Sequence, residues 1–447
     1  MKWLPQGLAM EAIPPECRET YWRHRRFAVC DALAAGILAN TPVMALKSLA
    51  SQDWQLAIQL PISSVGMFLV LYLSGIMARR NPMPFAVVPG LAYGVTSLAM
   101  AFTGNPLWFL ILGGVGTLLE TISRPAVTAI LRLNYPAAHR GAITGRIRQW
   151  HLCTFLAAGS GAAWLLDQFK GSQLAMIQWQ LVLAGIASLV AFLCFQTIRV
   201  QAGKPPSQAA AASEAAVPFG PAWQILRRDP RFRAYLIVGF LYAAGGLIYV
   251  AYVPVIFHRL QLGYFASALL LNTLPTMLSV LTTSRLGAWM DRVNSWRAWA
   301  VIRLGWGLDA LLLAAAIPLA AISFPLAILL IILGRCCRGT VMGSSWILWW
   351  QVGVNHFAPP PETARYLGLI LFVNGLARLA GPALGAALLQ GHCPLAIIFG
   401  LGGLLVILSA WLSRTRELAE RRHSHLQTVA TFEITQPATG FVPAVAK

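Results

Sequence analysis

The chain has 447 residues, of which 57% are hydrophobic and only 11% are charged. Soluble globular domains carry about 25% charged residues, so this composition excludes an ordinary soluble protein and predicts a membrane protein with many spans. The formal net charge is +19. In a soluble chain that charge would suggest nucleic acid as a partner. Because no basic stripe carries interleaved aromatic residues, no nucleic-acid partner is expected.

Twelve apolar runs are long enough to cross a lipid bilayer, which takes about 20 residues in a helix. The predicted spans are 27–49, 56–78, 84–103, 106–131, 149–168, 177–198, 234–257, 264–284, 298–319, 323–350, 366–390 and 394–413. Between the sixth and seventh spans, 199–233 is rich in Ala, Pro and Ser, a composition typical of a flexible linker. The sequence therefore predicts an all-α polytopic membrane protein with two six-helix bundles, 27–198 and 234–413.

The distribution of Lys and Arg predicts how the chain crosses the membrane. Outside the spans, the basic residues fall on one side of the membrane, with the exceptions of Lys47, Lys170 and Arg259. Cytoplasmic loops carry the excess of positive charge in membrane proteins. The N-terminal arm, 1–26, and the C-terminal tail, 414–447, are therefore expected in the cytoplasm, with the protein in the inner (plasma) membrane.

The two halves of the chain are similar in sequence. The segment LETISRPAV in the fourth span parallels LGRCCRGTV in the tenth, which places Arg124 opposite Arg338. A Pro-x-x-x-Arg pattern follows both spans, with Arg140 in the first half and Arg365 in the second. Internal repeats of this kind are typical of secondary transporters, in which two bundles rock about a central site.

The charged connection between the eighth and ninth spans, SRLGAWMDRVNSWR, carries a motif. Gly287, Asp291 and Arg292 have the spacing of the Gly-x-x-x-Asp-Arg-x-Gly-Arg loop of the major facilitator superfamily. Asn294 stands at the second glycine position, where a residue that tolerates positive φ is expected, and Ser295 replaces the last arginine. With its twelve spans and central linker, the chain resembles this family from Phe27 to about Arg414. The resemblance implies a conformational gate at this loop.

The equivalent loop of the first half, GIMARRNP, departs from the motif. Gly75 and Arg80 match the pattern, but Arg79 occupies the position of the acidic residue. The second-half loop is therefore the better preserved of the two. The resemblance assigns these residues to the cytoplasmic gate: Gly75, Arg140, Gly141, Gly287, Asp291 and Arg292.

Ionisable residues in the first-half spans are candidate functional groups, because charge inside lipid is costly. Glu120 and Arg124 are four residues apart on one helix face, where they can pair. They form either a proton-responsive pair that lines the cavity or a static ion pair. Asp31 lies in the first span, where the resemblance implies a proton-coupling acid of the kind found in exporters. The alternative is an acid favoured by the dipole at a helix start.

The second half offers a basic pair and two tyrosines. Arg335 and Arg338 would suit an anionic substrate, since guanidinium groups bind carboxylates and phosphates in a bidentate manner. They could instead pair with Asp309 or with backbone carbonyls. Tyr242 and Tyr249 either line a cavity for an organic substrate or simply pack. For Asp309, a structural role is expected.

No catalytic pattern is present: the sequence has no phosphate-binding Gly-x-x-x-x-Gly-Lys-Ser/Thr loop and no Gly-x-Ser-x-Gly elbow. The chain is therefore expected to be no enzyme and to bind no cofactor or metal. The leading hypothesis is a monomeric secondary active transporter. It would move a small-molecule substrate across the lipid bilayer by alternating access, coupled to protons, with export slightly favoured. The alternatives are uptake or exchange of an organic anion, and a non-transporting scaffold of the same fold.

Overall fold

The computed structural model describes residues 13–77, 80–199, 219–290, 292–347, 357–358 and 363–435, whose regular structure is helical. The helices of the first half are α1 (Arg18–Leu38), α2 (Thr41–Ser48), α3 (Gln59–Met77), α4 (Met83–Ala101), α5 (Pro106–Asn134), α6 (Ala137–Gln168) and α7 (Gln173–Gln196). Those of the second half are α8 (Phe219–Arg228), α9 (Pro230–Val250), α10 (Val253–Arg259), α11 (Tyr264–Ala268), α12 (Leu274–Met290), α13 (Ser295–Leu319), α14 (Phe324–Ile347), α15 (Thr363–Gln390) and α16 (Leu395–Thr435). A π-helical turn, Leu269–Thr273, joins α11 to α12.

The helices account for the predicted spans. Within the described residues, ten helical segments are long and apolar enough to cross a membrane. The two other predicted spans, 56–78 and 149–168, fall on α3 and α6. The predicted fold class, an all-α polytopic membrane protein, is confirmed.

Helix packing repeats from one half to the other. In the first half α1 packs on α6 and α7, and α4 packs on α5 and α7. In the second half α9 packs on α15 and α16, and α13 packs on α14 and α16. The pair α3–α5 likewise has its counterpart in α12–α14. The similarity between the two halves of the sequence thus corresponds to two bundles with the same arrangement.

Several boundaries differ from the predicted ones. α1 begins at Arg18 rather than near 27, and α6 begins at Ala137 rather than 149. Both helices continue into charged sequence, because polar side chains at the membrane surface remain hydrated and do not oppose a helix. The end of the predicted linker is also helical, as α8. Residues 200–218 of that linker lie outside the described residues.

The first span of each half is interrupted in the same way. α1 ends at Leu38, and α2 starts at Thr41 with Pro42 in its first turn. α9 ends at Val250, and α10 starts at Val253 with Pro254 in its first turn. Proline lacks the N–H that would continue a helix but suits a first turn. A proline therefore fixes the break in each half.

A close crossing of two glycines brings α1 against α6. A Cβ atom on Gly36 would lie 2.5 Å from the carbonyl oxygen of Phe155, and one on Gly159 would lie 2.9 Å from that of Gly36. Asn40 strengthens the crossing by donating a hydrogen bond of 2.9 Å to the Gly159 carbonyl. Because only small residues allow backbones to approach this closely, the crossing fixes which side chains of α1 and α6 face each other.

The bundle has two faces, named here by their helix ends. The terminal face carries the start of α1 and the polar end of α16, and the far face carries α2, α10 and the start of α11. The two six-helix bundles are joined by α3 packed on α15 and by α6 packed on α11. Between the first pair, the rings of Phe68 and Phe372 lie 5.5 Å apart. The region between the two bundles, beside these contacts, is called the central space below.

Candidate functional site

Arg124 is the centre of a charged cluster in the first bundle. Its Nη2 atom donates to the Asp31 Oδ2 atom at 3.0 Å and to the Glu120 Oε1 atom at 2.6 Å. The two carboxylates come from different helices, Asp31 from α1 and Glu120 from α5. One guanidinium therefore bridges two carboxylates, an arrangement that neither predicted alternative for the Glu120–Arg124 pair included.

The members of this cluster differ in their access to solvent. The side chain of Asp31 is 2% exposed, whereas those of Glu120 and Arg124 are 29% and 38% exposed. Glu120 and Arg124 lie near the middle of α5, which runs from Pro106 to Asn134. Charged side chains at membrane depth face the bundle interior or a hydrated cavity, so we expect the exposed edge of this cluster to face the central space and not lipid.

His151 is a member of the cluster that the sequence analysis missed. Its Nε2 atom lies 3.3 Å from Asp31 Oδ2, and its Nδ1 atom lies 3.4 Å from Arg148 Nη1. The Gly36–Gly159 crossing aligns α6 with α1, and this alignment brings His151 to Asp31. An available signal was that His151 falls inside the predicted span 149–168, since an ionisable residue in a span is a functional candidate by default.

A second cluster lies in the other bundle around Asp309. Asp309 and Arg335 form an ion pair in which both side chains are fully buried. Tyr249 donates a hydrogen bond of 3.2 Å to Asp309 Oδ2. A buried charge persists when it is paired and hydrogen-bonded. The structure therefore gives Arg335 and Tyr249 a shared contact with Asp309.

Arg338 lies one turn beyond Arg335 on α14, at the position that matches Arg124. Its guanidinium stacks on the ring of Trp306, 4.5 Å from the ring centroid. Within the described part of the chain, its Nε and Nη1 atoms are buried without a hydrogen-bond partner. Tyr242 also packs edge-on against Trp306. The contacts described for Arg338 and Tyr242 are thus mainly with the face of α13.

The predicted gate residues lie at the terminal face. The side chain of Arg140 donates to the carbonyl oxygens of Tyr135 (3.0 Å) and Arg132 (3.0 Å), which satisfies carbonyls at the end of α5. Gly75, Gly141 and Gly287 lie within α3, α6 and α12, and Arg292 is exposed in the turn that follows α12. Asp291 lies outside the described residues.

Asn294 behaves differently from the expectation of a positive φ. Its φ is −59°, and its side chain accepts a hydrogen bond from the backbone N–H of Trp296. Asn294 is therefore the N-cap of α13, a position that asparagine favours because its side-chain oxygen satisfies a free N–H group. The tolerance of asparagine for a positive φ is therefore not used at this position.

These features were compared with known proteins. The sequence model of the Major Facilitator Superfamily matches residues 28–382. The chain belongs to the Major Facilitator Superfamily. As a member of this family it is a multi-pass membrane transporter and not an enzyme. No curated protein matches the chain in a sequence search.

Solved structures of family members share the fold. The nucleoside transporter NupG, in a mutant form, superposes with a TM-score of 0.69 at 14% identity, covering 88% of this chain and 99% of that one. A bacterial homologue of the human lysosomal transporter Spinster, in an inward-facing and unoccupied conformation, gives a TM-score of 0.60 at 14% identity, covering 90% and 96%. At this identity the neighbours establish the fold alone.

The two bundles also contact each other at the far face, through residues that the sequence did not indicate. Both carboxylate oxygens of Asp167, near the end of α6, accept backbone N–H groups at the start of α11, from Tyr264 and Phe265, each at 2.8 Å. Lys47 Nζ donates to Ser267 Oγ at 3.0 Å. Arg259 pairs with Asp53 at 2.8 Å. These contacts join the two bundles at the far face and close it.

Proposed function

We propose that the chain is a proton-coupled secondary transporter that moves a small solute across the inner membrane by alternating access. The proposal is carried by one observation, the bridging of the Asp31 and Glu120 carboxylates by the single guanidinium of Arg124. With both acids ionised, the triad of Asp31, Glu120 and Arg124 has an excess of one negative charge. An uncompensated charge of this kind is unfavourable at low dielectric, and binding one proton removes it.

Protonation would change what Arg124 can bind. An acid that is protonated no longer competes for the guanidinium, which then pairs with the other carboxylate alone. Glu120 is the more exposed of the two acids, 29% against 2% for Asp31, so Glu120 can exchange a proton directly with solvent, whereas Asp31 needs another side chain to bring the proton to it. Protonation of either acid frees one edge of Arg124. This gives a physical link between proton binding and the charge presented to a solute in the central space.

The far-face contacts support alternating access. They hold the bundles together at one face, so the central cluster would be reached in this state from the terminal face. The excess of Lys and Arg near the terminal face favours a cytoplasmic position for that face. We expect export, because the resemblance to this family implies that an acid in the first span carries the coupling proton in exporters.

A second candidate, transport of an organic anion, is favoured by Arg338. Its Nε and Nη1 atoms are buried and unpartnered among the described residues. Arg335, Arg338 and Asp309 together carry an excess positive charge, because only one of the two arginines pairs with the acid. A carboxylate or phosphate could satisfy these donors. If such an anion were taken up or exchanged together with a proton, the proton would neutralise the excess negative charge around Arg124. The anion would neutralise the excess positive charge around Asp309.

The test is transport by the purified protein in proteoliposomes across an imposed pH gradient. The solutes are a panel of labelled organic anions, organic cations and nucleosides, the last because a structural neighbour is a nucleoside transporter. We expect at least one solute to be accumulated in wild type and not in Glu120→Gln. Glu19→Gln is the matched control, since Glu19 is an exposed acid on α1 outside the cluster. If no solute moves, or if accumulation ignores the gradient, the proposal fails.

A further inference from the structure

His151 occupies a step between solvent and the buried acid of the cluster. The exposure of the side chains falls along the series: Arg148 is exposed, His151 is 14% exposed and Asp31 is 2% exposed. His151 contacts both neighbours through different ring nitrogens, at 3.4 Å to Arg148 and 3.3 Å to Asp31. A side chain with two distinct proton-binding atoms thus separates an exposed position from a nearly inaccessible carboxylate.

The contacts of the ring determine its neutral tautomer. A guanidinium has donors and no acceptor, so the contact of Arg148 Nη1 with His151 Nδ1 requires Nδ1 to accept. The proton of the neutral ring is then on Nε2, the nitrogen that lies 3.3 Å from Asp31 Oδ2. The neutral ring therefore has its proton on the nitrogen nearest the buried acid, and the lone pair of its other nitrogen accepts from Arg148 at the exposed side.

We infer that His151 is the proton relay that loads Asp31, an inference that rests on the proposed proton coupling. When Arg148 moves away, Nδ1 binds a proton from water at the terminal side. The Nε2–H bond then breaks, and an O–H bond forms at Asp31 Oδ2. The ring is left neutral with its proton on Nδ1, and the net result is one proton moved from water to Asp31. Arg124 then keeps Glu120 as its ionised partner.

The surroundings of the ring contain groups that oppose or assist this step. On α5, Arg124 opposes a positive ring, and Glu120 favours it. On α1, His24 contacts the Tyr135 hydroxyl through its Nδ1 atom at 3.1 Å, and it also interacts electrostatically with Asp31 and His151. The two carboxylates therefore offset the arginines, and a transient positive charge on the ring has anionic neighbours.

A purely structural role for His151 is the alternative, and His151→Gln separates the two. The glutamine side-chain amide can donate to Asp31 as Nε2 does, but it cannot take a proton on one atom and release it from another. If His151 only positions Asp31, glutamine should replace it with little change in the rate at which Asp31 is protonated. If His151 relays protons, the substitution should remove the relay.

The experiment follows protonation of Asp31 by infrared spectroscopy in the full-length protein in lipid nanodiscs, and it needs no substrate. The carboxylic-acid band that disappears in Asp31→Asn identifies the residue. After a rapid drop in pH from a photoreleased proton, we expect the band in His151→Gln to rise more slowly than in wild type by about a hundredfold, with the same final amplitude. In Arg148→Gln, which leaves Nδ1 free, the band should rise faster.

Equal rates in wild type and His151→Gln would overturn the relay, as would an Asp31 band that never forms at low pH. These outcomes are distinguishable from failure of the proposed function. If Asp31 is loaded through His151 but no solute is transported, the relay stands without the transport proposal. If solute transport is driven by protons and the loading rate ignores His151, the transport proposal stands without the relay.

Discussion

Arg124 and Asp31 are 93 residues apart in the chain, and a hydrogen bond of 3.0 Å joins their side chains. The bond connects α5 to α1 across the interior of the first bundle. Since Arg124 also binds Glu120, it is the only positive charge bonded to both acids in the described cluster. Its removal should therefore uncouple transport from the proton gradient.

The first prediction concerns Arg124→Gln. Without the guanidinium, two carboxylates share a low-dielectric site, and one of them retains a proton because like charges disfavour double ionisation. We expect proton-driven accumulation of the solute to be lost while exchange of labelled for unlabelled solute continues. Both are measured in the same proteoliposomes, with and without a pH gradient. Arg26→Gln, at an exposed position of α1, should leave both unchanged; accumulation that persists in Arg124→Gln would contradict the prediction.

The second prediction concerns the buried Asp309–Arg335 pair. Removing one partner leaves the other as an uncompensated buried charge, so Asp309→Leu should lower the free energy of unfolding by about 3–5 kcal/mol. The double variant Asp309→Leu with Arg335→Met should lose much less, because it removes one charge of each sign and leaves the net charge of the cluster unchanged. Unfolding in detergent micelles, followed by tryptophan fluorescence, gives the comparison. A double variant as unstable as the single one would show that the pair is not the cause.

The third prediction concerns the cap that Asp167 places on α11. A neutral amide can accept only one of the two N–H bonds, so Asp167→Asn should weaken the far-face closure. Spin labels at positions 171 and 392, in a background without native cysteines, report the separation of the bundles. We expect a larger population of long distances than in wild type.

Two further variants test whether the Asp167 cap is the contact responsible. Gly263→Ala should act in the same direction, because a Cβ there would lie 2.8 Å from Asp167 Oδ2. Asp53→Asn breaks an exposed ion pair, with side chains 31% and 52% exposed, and exposed pairs contribute little. Its distance distribution should therefore stay close to that of wild type. An effect of Asp53→Asn that equals that of Asp167→Asn would refute a special role for the cap.

The fourth prediction concerns the Gly36–Gly159 crossing, which aligns Asp31 with His151. Gly36→Ala places a methyl group 2.5 Å from a backbone oxygen, so α1 must move away from α6. We expect a loss of stability of about 1–3 kcal/mol and a weakened Asp31–His151 contact, visible as a changed Asp31 infrared band. Gly161→Ala is the control on α6, because nothing lies within 4 Å of its Cβ. If both variants behave alike, the crossing does not position the site.

The fold could be predicted from the sequence because the bilayer constraint is local. Each apolar run of sufficient length must satisfy its own backbone hydrogen bonds as a helix, so the spans could be predicted one by one, and ten of them are long and apolar enough among the described residues. Their ends could not, because α1 and α6 extend into charged sequence that composition alone assigns to a loop. The cap at Asn294 was likewise missed, since the motif suggested a turn glycine and the structure uses the side chain.

The site was only partly predictable, for a related reason. Glu120 and Arg124 lie on one helix, and helical spacing predicts their contact. Asp31 and His151 join them only through the packing of α1, α5 and α6, which depends on where the glycines of two distant segments meet. The Asp167 cap on α11 depends in the same way on how the two bundles meet. Contacts between helices depend on how the helices pack, and this packing cannot be read directly from one sequence.

The most direct test of proton coupling is accumulation of a transported solute in proteoliposomes whose pH gradient is collapsed by nigericin. The account predicts that collapse abolishes accumulation by wild type and by Glu19→Gln. It also predicts that Glu120→Gln does not accumulate the solute, with or without nigericin. Accumulation that survives collapse of the gradient, or that is retained in Glu120→Gln, would contradict proton coupling through the Asp31–Arg124–Glu120 cluster.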